Sequence, residues 1–226
     1  MFADNEQSVY AGAARVNVAL PGSEDVDYSS LSHMVLFIEM GDGSPETYLV
    51  DVGFGGQGPA RAIPLRDGST VKGAAVPETH RIIRTTHPKR TARRDQPVEW
   101  ALQVGKMEDE QSWRSLYLFS SAEFGLKDFA AFNFVVNKGH SGPFAAFVVV
   151  VAIILAENSR RDDLDGDLDR IILFGNSLKV KHAEEVCMQK EIDGDRERAD
   201  ILRNTFHLDV EDTGHFVDPE VGTVVV

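Results

Sequence analysis

Cysteine is nearly absent from this sequence: Cys187 is the only one in 226 residues. A single cysteine excludes an internal disulfide and any zinc site built from several thiolates. Cations are also scarce, because 23 lysines and arginines stand against 36 aspartates and glutamates, for a formal net charge of −13. A surface of this sign repels phosphate groups, so we expect no nucleic acid and no membrane surface as a partner.

Long apolar segments are missing as well. The longest one, residues 144–156, has 13 residues, whereas a membrane-spanning helix needs about 20, and its valines favour a buried strand. The first residues have no basic start and no apolar stretch, so we predict no secretory signal and expect a cytoplasmic location. The seven histidines show none of the paired spacings that metal-binding helices use, so no metal site is predicted.

The composition is that of an ordinary globular protein, with 42% hydrophobic and 26% charged residues. Between residues 9 and 113, short apolar runs alternate with turns that contain glycine or proline, which predicts an antiparallel sheet or barrel. From residue 121 the pattern changes, and longer strands alternate with helices. The predicted fold class is therefore α+β, with a β-barrel domain over residues 1–120 followed by an α/β domain over residues 121–226.

In the second domain the sequence predicts two helices, over 121–131 and 195–206, and two long strands, over 144–156 and 171–181. The aspartate-rich run 163–169 resembles the start of a calcium loop. It lacks the glycine at the sixth position and the glutamate at the twelfth that such a loop requires. We interpret it as an exposed hairpin loop.

Residues 53–58 read Gly-Phe-Gly-Gly-Gln-Gly and match the dinucleotide-binding pattern G-x-G-x-x-G. That pattern binds a pyrophosphate only where a helix begins at the glycines. Pro59 and Pro64 follow too closely for such a helix, so the dinucleotide interpretation is rejected. A basic stretch over 81–94 is compatible with attraction of an anionic ligand and with a solvated loop, and the sequence leaves both interpretations open.

The residues best suited to chemistry are His33 and Asp51. Residues 33–40 and 47–52 are apolar runs joined by a loop with glycine and proline, which predicts a β-hairpin. His33 begins the first strand and Asp51 lies near the end of the second, so the two should lie side by side. A histidine base held by a carboxylate supplies two of the three parts of an acyl-transfer triad. A purely structural hydrogen bond across the hairpin is the alternative.

The motifs around this pair resemble those of the arylamine N-acetyltransferase family. Leu-Ser-His-Met-Val-Leu at 31–36, followed by Tyr-Leu-Val-Asp-Val-Gly-Phe-Gly-Gly at 48–56, is similar to the segment that carries the histidine and the aspartate of the family's Cys-His-Asp triad. Ile-Leu-Phe-Gly-Asn at 172–176 and Leu-Arg-Asn-Thr-Phe at 202–206 are similar to later motifs of the family. The resemblance covers nearly the whole chain and implies that residues 121–226 form a lid domain.

The resemblance implies transfer of an acetyl group from acetyl-CoA, as co-substrate, to an arylamine or arylhydroxylamine. It implies that His33 is the base, that Asp51 is the carboxylate that holds it, and that Phe54 lines the acceptor pocket. Ser141 and Thr223 are the implied contacts with coenzyme A. The expected partners are therefore small molecules, a CoA thioester and an aromatic amine. The preferred acceptor, the acyl chain and the oligomeric state are left open.

The family's nucleophilic cysteine lies in an N-terminal helical domain, and too few residues precede His33 to hold one. We therefore expect that domain and its cysteine to be absent from this sequence. Cys187 is expected on a strand of the lid, with its thiol buried or half-buried. Without the nucleophile the polypeptide should be inactive or nearly so. The alternatives are a non-catalytic remnant that binds coenzyme A or a small aromatic, and an incomplete gene product, and a misplaced start is also left open.

Overall fold

The structure is a computed structural model, and it describes residues 7–19, 26–41, 44–55, 57–89, 99–138, 149–155, 167–182, 185–208, 215–216 and 224–225. The chain forms two compact units, Met1–Ala145 and Ala146–Val226. The division lies further along the chain than residue 120, the predicted end of the first domain. The reason is that the first helix after residue 120 packs on the sheet of the first unit.

The first unit is built on an antiparallel sheet of eight strands, in the order β4-β3-β2-β1-β8-β7-β6-β5. The strands are β1 (Ser8–Asn17), β2 (Tyr28–Glu39), β3 (Thr47–Val50), β4 (Ile63–Pro64), β5 (Thr70–Lys72), β6 (Glu78–Thr85), β7 (Glu99–Lys106) and β8 (Asp109–Phe119). The two terminal strands of this order, β4 and β5, contact each other, so the sheet curls into a near-closed barrel. The predicted α+β class with an antiparallel barrel is confirmed.

Alternating side chains of the strands fill the interior of the barrel. On β2, Val35 and Phe37 are fully buried, and they pack with aromatic and aliphatic residues of β7 and β8. Gly12 on β1 leaves room for this packing, because a Cβ at that position would overlap the ring of Phe37. Two side chains able to carry a charge, Asp51 and His80, are buried in this otherwise apolar interior.

The second unit contains an antiparallel sheet of four strands, in the order β12-β11-β10-β9. The strands are β9 (Val149–Leu155), β10 (Leu168–Phe174), β11 (Ser177–His182) and β12 (Glu185–Glu191), and a helix, α2 (Gly194–Asn204), follows them. The buried core of this unit consists of Leu173, Leu178, Ile192 and Leu202. A short pair of strands, β13 (His215–Phe216) and β14 (Val224–Val225), follows α2.

Two elements differ from the prediction. The segment 171–181 is not one strand, because β10 and β11 pair with each other and turn at Gly175, whose φ is +55°. The first helix, α1 (Leu126–Lys138), begins later than predicted, at the point where the Asp128 carboxylate accepts a hydrogen bond from the N–H of Gly125. Neither α1 nor α2, the helices in the described part of the chain, is long and apolar enough to cross a membrane.

Candidate active site

The candidate site lies at the end of the β2–β3 hairpin. The two strands pair antiparallel with Leu36 opposite Val50, and Asp51 follows directly after β3, so the predicted hairpin is confirmed. His33 lies inside β2 and not at its start as predicted. The strand extends back to Tyr28 because β1 continues to pair with it beyond the apolar run.

His33 and Asp51 are joined by a hydrogen bond of 2.8 Å between Nε2 and Oδ2. The side chain of Asp51 is fully buried and that of His33 is 13% exposed. Because an ionised carboxylate only accepts hydrogen bonds, Nε2 donates, and Nδ1 is the basic nitrogen of the neutral ring. No residue in the described part of the chain hydrogen-bonds to Nδ1. The pair therefore has the arrangement of a base and the carboxylate that orients it.

The second carboxylate oxygen of Asp51 fixes the loop that follows β3. Oδ1 accepts the backbone N–H of Gly53 at 3.0 Å and that of Phe54 at 3.1 Å. These bonds compensate for the burial of the carboxylate and turn the chain immediately after the strand. The position of His33 is thus tied, through one carboxylate, to the conformation of this loop.

Aromatic rings surround the imidazole. The ring of Phe54 meets His33 edge-on at a centroid distance of 5.3 Å, and the ring of Tyr117, on β8, lies 5.4 Å from it. Phe54 and Tyr117 contact each other at 5.2 Å. The two rings restrict the rotation of the imidazole and keep water away from the bond between His33 and Asp51, which strengthens it.

Tyr117 is fully buried, and its hydroxyl has no hydrogen-bond partner. Burial raises the pKa of this phenol well above its ordinary value, and the negative charge of Asp51 adds to the effect. The hydroxyl is close enough to Asp51 to sense its charge, without the alignment of a hydrogen bond. Sequence reasoning did not single out Tyr117, because it looks like any other inward-facing aromatic residue of a strand.

The other residues singled out from the sequence lie outside the described residues or in the second unit. Ser141 and Thr223 lie outside the described residues. Cys187 is on β12, in the second unit, and its thiol is exposed. The expectation of a buried or half-buried thiol is therefore wrong, because β12 is an edge strand whose residues are all exposed.

The described cations of the basic stretch 81–94 contact side chains of the same unit. Arg81 pairs with Glu110, and its guanidinium lies 4.1 Å from the ring centroid of Trp113. Lys89 pairs with Asp27. The guanidinium of Arg84 lies 4.6 Å from the ring centroid of Trp100. The other cations of the stretch lie at 90–94, outside the described residues. The contacts of Arg81 and Lys89 favour the interpretation of this stretch as a solvated surface.

The other two motifs gain no support. The described residues between Asp51 and β4 form turns and no helix, as the rejection of the dinucleotide pattern requires. Residues 163–166 of the aspartate-rich run lie outside the described residues. Within the residues that the structure describes, no group of three or more histidine, cysteine, aspartate or glutamate side chains is arranged to hold a metal ion.

A family model described as N-acetyltransferase matches residues 12–215. The chain therefore belongs to this family, and the resemblance to the arylamine N-acetyltransferases is confirmed. Family membership assigns the chain to the N-acyltransferases as a class.

Solved arylamine N-acetyltransferases share the fold. The protein from Salmonella typhimurium superposes with a TM-score of 0.67 at 19% identity, covering 92% of this chain and 63% of its own. The Mycobacterium marinum protein, in complex with CoA, superposes with a TM-score of 0.65 at 23% identity, covering 89% of this chain and 62% of its own.

Curated relatives carry a different acyl group in their name. The N-malonyltransferase FDB2 of Gibberella moniliformis is 24% identical over 193 residues, which are 83% of this chain and 53% of the relative. The protein of the same name from Fusarium pseudograminearum is 23% identical over 192 residues, 82% of this chain and 53% of the relative. The chain spans about half the length of the curated relatives that it matches.

Proposed function

We propose that this chain carries the base and the carboxylate of a Cys-His-Asp acyl-transfer site whose acyl donor is a CoA thioester. The observation that supports this most directly is the bond between His33 Nε2 and Asp51 Oδ2. It leaves Nδ1 as the proton acceptor and places the imidazole between aromatic rings that exclude water. A bond that only stabilised the hairpin would not require the aromatic rings around the imidazole.

In the proposed reaction His33 takes the proton of a cysteine thiol at Nδ1, and Asp51 stabilises the resulting imidazolium. The thiolate attacks the acyl carbonyl, the bond between that carbon and the sulfur of CoA breaks, and CoA leaves as a thiol with the proton from His33. An amine then attacks the acyl-cysteine and gives its proton to His33, the bond between the acyl carbon and the cysteine sulfur breaks, and the amide departs while His33 returns the proton to the thiolate. The acyl group passes from sulfur to sulfur to nitrogen without any redox step.

The acceptor proposed for this site is an arylamine or an arylhydroxylamine. Phe54 supports this choice because an aromatic ring packs favourably against another at the angle and distance that Phe54 already adopts with His33. The proposed donor is acetyl-CoA, and malonyl-CoA belongs in any donor test because the curated relatives are named N-malonyltransferases. Ser141 and Thr223 remain proposed contacts with coenzyme A. Both lie outside the described residues.

For the polypeptide of 226 residues itself we expect little or no turnover. Its one thiol, Cys187, is exposed on β12, and among the described residues it hydrogen-bonds to the backbone carbonyl of Glu185 at 3.9 Å. Within the described part of the chain, no imidazole or carboxylate hydrogen-bonds to this thiol. The parts of a triad act as a unit, so a base and a carboxylate without a nucleophile retain only a small part of the acceleration.

The test measures acyl transfer by this polypeptide with acetyl-CoA or malonyl-CoA and an aromatic amine. Release of CoA and intact mass after donor alone are recorded for the natural sequence, for Cys187→Ala and for His33→Gln. We expect no acyl adduct and no turnover in any of them. Robust turnover that survives Cys187→Ala contradicts the need for a thiol. Turnover lost in both variants assigns the nucleophile to Cys187 and contradicts the expectation of inactivity.

The exposed position of Cys187 also favours a second candidate, a protein that binds coenzyme A or a small aromatic without turning it over. Calorimetry with coenzyme A and with an aromatic amine separates the two. Saturable binding without turnover supports the binding protein. Absence of any binding contradicts it.

A further inference from the structure

His80 is the buried histidine that the proposed reaction does not use. It lies on β6, between Val71 of β5 and Val104 of β7 in the register of the sheet, and it is 0% exposed. Ile82, the next inward-facing residue of β6, is equally buried. An aliphatic side chain would suit this position, since burial of an imidazole costs free energy unless the ring is hydrogen-bonded.

The hydrogen bond of His80 goes to the loop after Asp51. Its Nε2 lies 2.9 Å from the carbonyl oxygen of Gln57, and a carbonyl only accepts, so Nε2 donates. This bond links β6 to the loop between β3 and β4, across the seam where the barrel closes. The loop is therefore held at its start by the carboxylate of Asp51 and near its middle by the imidazole of His80.

Between these two points the loop has little freedom to adjust. Gly58 is buried, and its N–H donates to the carbonyl of Gly55 at 3.0 Å. A Cβ on Gly58 would lie 2.9 Å from the Cβ of Phe54, and Gly55 has a φ of +89°, which favours glycine. The position of Gln57 and Gly58 thus sets the position of Phe54, and the ring of Phe54 contacts His33.

We infer that His80 is a positioning residue of the acyl-transfer site: through Gln57 it holds the loop that places Phe54 against His33. The role of His80 in catalysis rests on the proposed function, whereas its restraint on the loop can be measured without turnover. The full chain is used throughout, with His80→Leu to remove the donor and His80→Gln to restore an N–H donor on a side chain of similar reach.

The first measurement is amide hydrogen exchange at Gly53 and Phe54, whose N–H groups are bound to Asp51. In His80→Leu we expect exchange at these two amides to accelerate by roughly tenfold relative to the barrel amides, the effect of losing about one hydrogen bond on a local opening. The nuclear magnetic resonance signal of the His33 ring should also shift, because the Phe54 ring moves. His80→Gln should retain both the slow exchange and the signal.

Ile82→Val is the matched control, because it removes core volume beside His80 and leaves the bond to Gln57 intact. Exchange at Gly53 and Phe54 should keep its natural ratio to the barrel in this variant. If His80→Leu accelerates all barrel amides alike, or leaves the His33 signal unchanged, His80 is only a core residue and the positioning role is overturned. His80→Asn, whose shorter amide does not reach Gln57, replaces His80→Leu if that variant does not fold.

An aromatic amine, p-toluidine, separates this inference from the proposed function. The proposed function requires the amine to perturb the His33 signal of the natural chain, and the positioning role requires a weaker perturbation in His80→Leu. No perturbation in the natural chain contradicts the proposed function, and the exchange ratios still decide whether His80 restrains the loop. Equal perturbation in both chains overturns the positioning role alone.

Discussion

The hydroxyl of Tyr117 lies beside the carboxylate of Asp51, fully buried and without a hydrogen-bond partner. A buried polar group in this state costs roughly 1–3 kcal/mol, so the fold as such is better served by phenylalanine. The hydroxyl places a neutral phenol, whose pKa is raised by burial and by Asp51, near the carboxylate that orients His33. This proximity connects β8 to the residue that follows β3. The strands β3 and β8 are not neighbours in the sheet.

Tyr117→Phe should therefore leave the free energy of unfolding unchanged or raise it by about 1 kcal/mol, because it keeps the ring contacts and removes an unpartnered polar atom. Urea unfolding followed by fluorescence measures this. Tyr117→Leu is the control, since it removes the ring that packs on His33 and Phe54, and it should lower the free energy of unfolding. A loss of more than about 1 kcal/mol in Tyr117→Phe would mean that the hydroxyl is bonded in solution.

The raised pKa of Tyr117 predicts a loss of stability in alkaline solution. A tyrosine whose pKa is higher in the folded chain than in the unfolded chain binds its proton more tightly when folded. Its contribution is complete below the unfolded pKa of about 10 and is lost as the pH rises above that value. Burial also raises the pKa of Tyr10 and of Tyr28, so they act in the same direction.

We expect the free energy of unfolding to fall above pH 10 with a slope of up to about 1.4 kcal/mol per pH unit for each such proton. Tyr117→Phe should reduce the slope. Urea unfolding between about pH 8 and pH 11, a window that spans the unfolded pKa of about 10, measures it. Comparing the two chains cancels the titration of lysines. Equal slopes for both chains would contradict the raised pKa of Tyr117.

The pair of His33 and Asp51 could be predicted because a hairpin is a local structure, whose register follows from two apolar runs and a turn. The position of His33 within β2 could not be predicted, because the residues before it, Tyr28 to Ser32, are polar enough to be interpreted as a loop. Pairing with β1 overrides that local preference. The hairpin of β10 and β11 was interpreted as one strand for the opposite reason, since Gly175 and Asn176 lie within a run of otherwise strand-forming residues.

The surroundings of the pair were beyond local reasoning. Tyr117 and His80 are far from Asp51 in the sequence. Tyr117 reaches the site because β8 pairs with β1, which pairs with β2, and His80 reaches the loop after Asp51 because the barrel closes. The sequence does offer one indication for His80: it lies two residues before Ile82, on the same, inward face of β6. A histidine at an inward-facing position beside a buried isoleucine is an inconsistency of the kind that marks functional positions.

Gly58 provides a test of how tightly the loop is packed. Gly58→Ala should lower the free energy of unfolding by about 1–3 kcal/mol, because the new Cβ would lie 2.9 Å from the Cβ of Phe54 and one of the two must move. Gly125→Ala is the control, since its Cβ would meet only the Asp128 carboxylate at 3.7 Å. Thermal unfolding of the two variants measures the difference. A Gly58→Ala variant as stable as Gly125→Ala would mean that the loop adjusts easily.

Asp51→Asn tests the orientation of the base. Asparagine keeps an oxygen for the N–H groups of Gly53 and Phe54, and its amide nitrogen then faces His33 at the place of Oδ2. An amide N–H donates, so the imidazole must accept at Nε2 and carry its proton on Nδ1, where a nucleophile would need a base. The nitrogen chemical shifts of the imidazole report this tautomer directly.

We expect the natural chain to carry the proton on Nε2 and Asp51→Asn to carry it on Nδ1, with a loss of about 1–3 kcal/mol in the free energy of unfolding because the charge-assisted bond is gone. Asp169→Asn is the matched control: Asp169 accepts a 2.7 Å bond from His182 in the second unit, so the change should leave the His33 signals untouched. An unchanged tautomer in Asp51→Asn would mean that the ring is oriented by Phe54 and Tyr117 and not by the carboxylate, and His33 would then lose the partner on which its proposed role as a base depends.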